Sequence, residues 1–144
     1  MNKTCADLVQ PNFEERMRVL RDLWAMEDPD SEHEEHETNI YEFGLSFDYQ
    51  PAADVRRGYW TYQLSTGGPG DEFRIYEMCH KVVGELVDEY HVSVDRIEYW
   101  FFDWFDGASI ELIGDDFEWF KDFFTGFFVD SGTAFHVRRK ALSD

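Results

Sequence analysis

The residues of this chain best suited to chemistry are carboxylates set around one aromatic segment. Glu98, Asp103, Asp106 and Glu111 lie within RIEYWFFDWFDGASIELIG (96–114), and Asp115 and Asp116 follow directly. Paired carboxylates can serve glycoside hydrolysis or metal-assisted hydrolysis. Asp106-Gly107 reads as a two-residue hairpin turn, and Asp115 as a helix N-cap. Asp103 and Glu111 are left over, and strand alternation puts them on opposite faces. That disfavours a carboxylate pair. A small enzyme built on Asp103 remains a lesser alternative.

Other candidates are weaker. His33 and His36 in SEHEEHE are three apart in an acidic loop, whereas a zincin motif needs two histidines four apart on a helix. A solvated charge run explains them better than a rigid metal site. STGGPGDE (65–72) has the glycines of a phosphate cradle but not the lysine or the following helix. Cys79-His80 are adjacent, so on a strand or a helix their side chains diverge. Trp60, Trp100 and Trp104 could form a stacking platform, although aromatic stripes at strand spacing are usually core. No catalytic residue, metal or cofactor is assigned.

The elements that must position these residues follow from periodicity. Residues 12–26 predict a helix, with Asn12 and Glu15 as a capping box and Phe13, Met17, Leu20 and Trp24 on one face. EDPDSEHEEHE (27–37) holds seven acids in eleven residues and reads as a solvated loop. Tyr41, Phe43, Leu45, Phe47 and Tyr49 alternate with polar residues, predicting a strand over 39–49. Strands follow at 58–65 and 72–78, joined by the TGGPGD turn. Residues 79–92 fit either a helix or a hairpin, with a slight lean to the helix. Residues 94–105 and 108–113 read as a hairpin, with Asp103 opposite Ile110 and Phe101 opposite Leu112. A helix over 115–130 and a short last strand in TAFHVRR (133–139) complete the chain. The expected fold is α+β: one domain over 1–144, with an antiparallel sheet of about five or six strands and two or three helices packed on one face. Both faces of the 99–105 strand are aromatic and a one-layer α/β sandwich buries one face fully, so one aromatic face needs a cover: a partner, a second copy of the chain, or the N-terminal helix.

Charge carries the functional reading. With 31 acidic and 13 basic residues among 144, the net charge is −18, against the roughly 2–8 units that keep a small domain dispersed. Such a surface repels nucleic acid and anionic membranes. It suits a basic protein, or one whose own ligand is nucleic acid. Aromatic residues make up 18% of the chain, ample for a core. Two cysteines build no disulfide framework, and neither a long apolar run nor a leader-like start is seen, so the expected location is the cytoplasm.

GYWTYQLSTGGPGDEFRIY and RIEYWFFDWFDGAS resemble the middle of small acidic proteins carried on bacterial plasmids and integrative elements, a likeness that brings no activity with it. In size and charge the chain is also similar to phage and plasmid inhibitors that block restriction or CRISPR complexes by imitating nucleic acid. That likeness implies a non-enzymatic anti-defence inhibitor. Its expected partner-binding residues are Glu32, Glu34, Glu35, Glu37, Glu42, Asp48, Asp71, Glu72, Asp103, Asp115 and Asp116, with Trp60, Trp100 and Trp104. An immunity protein that neutralises an antibacterial toxin is the alternative of the same general kind.

Overall fold

Alternation of large apolar residues decides the sheet. A computed structural model describes residues 3–54, 56–78 and 93–143. Five strands, β1 (Ser46–Gln50), β2 (Tyr59–Ser65), β3 (Gly70–Glu77), β4 (Val94–Asp103) and β5 (Asp106–Glu111), form one antiparallel sheet in the order β1-β2-β3-β4-β5. Cross-strand pairing lines up Tyr49, Trp60, Ile75 and Ile97 on one face, with Tyr62, Phe73, Tyr99 and Ile110 in the next row. All the residues of these rows except Ile110 are buried. This is the α+β class expected.

The helices cover that face. Helix α1 (Cys5–Trp24) lies on β4 and β5, with Phe13 packed on Phe73 and Tyr99. It begins seven residues earlier than its periodicity predicts. Thr4, not Asn12, is the N-cap, and Asp7 completes a capping box with it. Pro11 lies inside the helix, which continues through it.

The stretch 39–49 is a strand only in its second half. The Asn39 side chain accepts hydrogen bonds from the backbone N–H of Tyr41 and Glu42, which closes a helical turn, α2 (Ile40–Phe43). Tyr41 and Leu45 are therefore exposed rather than core.

Helix α3 (Gly114–Phe124) starts at Gly114. Its N-cap is Ile113, without a side-chain cap, so Asp115 and Asp116 occupy the first turn instead of the cap. There they still favour the positive end of the helix dipole. The helix runs into a π-helical turn, Thr125–Val129, that brings Phe128 flat against Phe47 at 3.9 Å between ring centroids. Gly132 ends this element at a φ of 83°.

The expected last strand is a helix, α4 (Thr133–Ser143). Its Ala134 is fully buried, and the Ala134 carbonyl accepts a hydrogen bond from Trp60 Nε1 at 2.9 Å. The reading of residues 79–92 lies outside the described residues.

The β4–β5 hairpin turns two residues earlier than Asp106-Gly107 would place it. Asp103 pairs with Asp106, Phe101 with Ala108 and Tyr99 with Ile110, leaving Trp104 and Phe105 as the turn. Trp104 takes the positive φ (51°). The shift moves every pair by an even number of residues, so each side chain keeps its expected face.

Candidate functional site

Where the cations go determines where the surplus acid is displayed. Two arginines serve the interior. Arg16 on α1 makes a two-pronged contact with Asp71, Nε at 2.7 Å and Nη2 at 3.0 Å. The Asp71 carboxylate also accepts from the Tyr99 and Ser65 hydroxyls. Arg138 on α4 reaches Glu77 at 2.7 Å, and the Tyr49 hydroxyl donates to the same carboxylate. Asp71 and Glu77, each 4% exposed, thus sit at opposite ends of β3 and tie one helix each to the central strand. Burial, together with the neighbouring carboxylate, pushes the Tyr49 hydroxyl up to about 12 and raises that of Tyr99 as well.

The other paired arginines run along the body: Arg18 with Glu15 and Glu35, Arg21 with Asp116, Arg57 with Asp95, Arg74 with Glu72, and Arg96 with Glu98 and Glu111.

This distribution sorts the expected binding residues. Asp71 and Trp60 are interior, so a partner cannot reach them, and they leave the binding set. Both hold helices in place. Sequence alternation assigned Trp60 to a face correctly but could not show that face to be covered. Glu72 is largely buried and paired with Arg74, which makes it part of the sheet surface rather than a free acid. Glu35 is exposed and Asp116 half-buried, and they are shared with Arg18 and Arg21. Glu32, Glu34, Glu37, Glu42, Asp48 and Asp115 are exposed. Asp48 borders a shallow groove with His136 and Lys140.

The sheet face turned away from the helices is a ladder of rings, arginines and carboxylates. Trp100 stacks on Phe102 at 5.6 Å, and the Arg74 guanidinium lies 4.4 Å from the Trp100 ring centroid. Glu98 accepts from Tyr76, Trp100 and Arg96. Burial pushes its carboxyl upward, but these hydrogen bonds outweigh it and leave Glu98 below the usual carboxylate range. The rings are thus already stacked and capped within the chain. Trp100 is half-buried here, a support for the ladder more than an open platform.

The hairpin tip is different. Trp104 is 83% exposed and Phe105 fully so, with Asp103 and Asp106 flanking them in the sequence. Phe105 was not singled out by its sequence position, because the Asp-Gly pair drew the turn away from it. Asp106 is not spent on the turn. Its carboxylate accepts from the backbone N–H of Cys5 at 2.9 Å and of Gly107 at 2.9 Å, closing the start of α1 from across the fold. The Cys5 contact leads the effects that hold its carboxyl below the usual range. Burial, and then Asp106, raise the Cys5 thiol, which makes it a poor nucleophile. Asp103 is half-exposed beside this corner.

The acidic loop folds back on α1. His36 Nε2 lies 2.8 Å from Asp22 Oδ2, and the His33 and His36 rings stack at 4.5 Å. Histidine spacing alone missed Asp22, whose contribution comes from the helix. No helix among the described residues is long and apolar enough to cross a membrane.

Fold and surface together define a class: an α+β domain, a five-stranded antiparallel meander with helices on one face and an uncompensated acidic exterior. Comparison with protein families, curated proteins and solved structures finds no match for the chain.

Proposed function

We propose that this protein is a non-enzymatic inhibitor, of the kind carried by mobile elements, that binds a basic nucleic-acid-handling protein of a defence system by offering carboxylates in place of phosphates. The observation that carries the reading is the commitment of the arginines. The arginine pairs fall mainly on interior, ladder and helix carboxylates, Arg18 taking Glu35 and Arg21 taking Asp116, and the remaining acids of the 27–37 loop, with Glu42 and Asp115, stay at the surface in excess. Duplex phosphates recur about every 1.7 Å of axis, and the 27–37 loop offers seven carboxylates in eleven residues against them. The exposed Trp104–Phe105 tip adds what charge alone lacks, an apolar anchor of the kind that dominates interface energetics.

The test is capture of targets from a host lysate at low salt, followed by competition. Captured proteins should be nucleic-acid binders, released both by a salt gradient and by duplex oligonucleotide. Affinity should drop at least about tenfold between low and moderate salt. Glu32→Gln/Glu34→Gln/Glu37→Gln and Trp104→Ser/Phe105→Ser should each weaken capture. Salt-insensitive binding, or a target that ignores the oligonucleotide, would sink the mimicry reading. The exposed aromatic tip also suits an immunity protein. A captured toxin whose binding survives oligonucleotide but not Trp104→Ser/Phe105→Ser would favour that second reading.

A further inference from the structure

From the way the acidic loop folds onto α1, we infer that Asp22, His33 and His36 form a binding site for a zinc-class divalent transition metal. One donor atom from each of the three side chains lies within 4.8 Å of the other two. Imidazole and carboxylate together suit such borderline ions. Tetrahedral zinc with bonds of about 2.0–2.1 Å needs donor atoms roughly 3.3 Å apart. The Asp22–His36 edge is already shorter, at 2.8 Å. With every edge within 4.8 Å, none has to close by more than about 1.5 Å to reach that spacing, a movement for the loop residue rather than for the helix. Glu35 stands next to the set, its Oε2 3.9 Å from His36 Nε2, and supplies a fourth donor, a second oxygen. The His36 side chain is 7% exposed, so the site is not merely a solvated charge run.

Two features set the strength of binding. His33 Nδ1 now accepts the backbone N–H groups of Glu35 and His36 at 3.2 and 3.3 Å. Coordination through either ring nitrogen gives up those contacts, because a metal on Nε2 requires the proton on Nδ1. Arg18 is the second feature. Its guanidinium sits 3.0 Å from Glu35 and 4.0 Å from Asp22, holding the same carboxylates the metal needs. Metal and Arg18 therefore compete. Binding would staple the 27–37 loop to α1 and fix the positions of Glu32 and Glu34.

Zinc titration by calorimetry, on chelator-treated full-length protein, tests this directly. Wild type should bind one zinc ion. His33→Ala and His36→Ala should each weaken it by about tenfold or more, the loss typical when a metal's ligand sphere is damaged. Arg18→Gln should tighten it several-fold, a change that a purely structural role for Arg18 would not produce. In wild type, zinc but not calcium should move the ring-proton NMR signals of His33 and His36. This second readout needs no variant to fold. Zinc binding that persists in the double histidine variant, or that leaves the ring signals in place, would mean carboxylate binding only and would overturn the site, as would no binding at all.

Discussion

The Asp71 clamp permits a quantitative prediction, because the carboxylate is 4% exposed and each of its partners is identified. Asp71→Asn preserves size but removes the charge facing Arg16, and turns a donor toward groups that are themselves donors. It unbalances a two-pronged contact at 2.7 and 3.0 Å and the hydrogen bonds from Tyr99 and Ser65. Hydrogen bonds to charged groups contribute about 1.5–3 kcal/mol each, not additively within one network. Removing one member of a buried pair typically costs about 3–5 kcal/mol, and that is the loss expected here. It is a large fraction of the roughly 5–15 kcal/mol that holds a domain together.

Arg16→Met should cost about 2–3 kcal/mol, because it leaves the 4% exposed carboxylate without its counter-charge while Tyr99 and Ser65 still donate to it. The double variant should cost less than the sum of the singles by about 1–2 kcal/mol. Urea unfolding followed by tryptophan fluorescence measures all three, provided the denaturant slope is unchanged. A loss below about 1 kcal/mol for Asp71→Asn, or strict additivity in the double variant, would refute the clamp.

Two further outcomes follow from packing and titration. A β-carbon added at Gly44 would fall 2.1 Å from Tyr62 Cε1, so Gly44→Ala should destabilise by about 1–3 kcal/mol. An unchanged melting temperature would show that the ring can step aside. Glu98 has a folded-state value below its ordinary 4.5. Its contribution is therefore present above that value and lost as pH falls through the lower, folded one. The stability gap between wild type and Glu98→Gln should be widest near neutrality and shrink on acidification, as read from denaturant midpoints at a series of pH values. A gap independent of pH would contradict this.

Strands were legible wherever large rings alternate with polar residues, because alternation fixes faces whatever the register. The β4–β5 hairpin shows both sides of this. Its turn sits on Trp104-Phe105 instead of Asp106-Gly107, yet Tyr99, Phe101, Asp103 and Ile110 share a face as expected. The turn could not be read locally, because the Asp106 carboxylate is drawn to the backbone of Cys5 at the start of α1, a contact spanning the whole fold. Residues 39–45 alternate like a strand but obey the Asn39 cap, and TAFHVRR follows the Gly132 stop into a helix. The surface acids were legible as acids. Which acids are free was not, since Arg16 and Arg138 select Asp71 and Glu77 through tertiary contacts that no spacing encodes.

That selection explains how such a charge can be tolerated. Acid in this excess repels itself and works against the compact state, and scattering the few cations over the exterior would relieve the repulsion only weakly, because exposed pairs are largely screened. This fold puts two of them where screening is least. Arg16 and Arg138 each bind a buried carboxylate on β3, so the strand at the centre of the sheet holds α1 at one end and α4 at the other. Along the ladder, Arg74 and Arg96 pair with Glu72 and Glu98 while Arg74 also lies over Trp100, a geometry in which one guanidinium serves a carboxylate and a ring together. Cations used in this way stabilise the body without neutralising the 27–37 loop or Glu42. Two arginines serve the interior and the others pair along the body, so the exterior stays acidic around a fold held by its few cations.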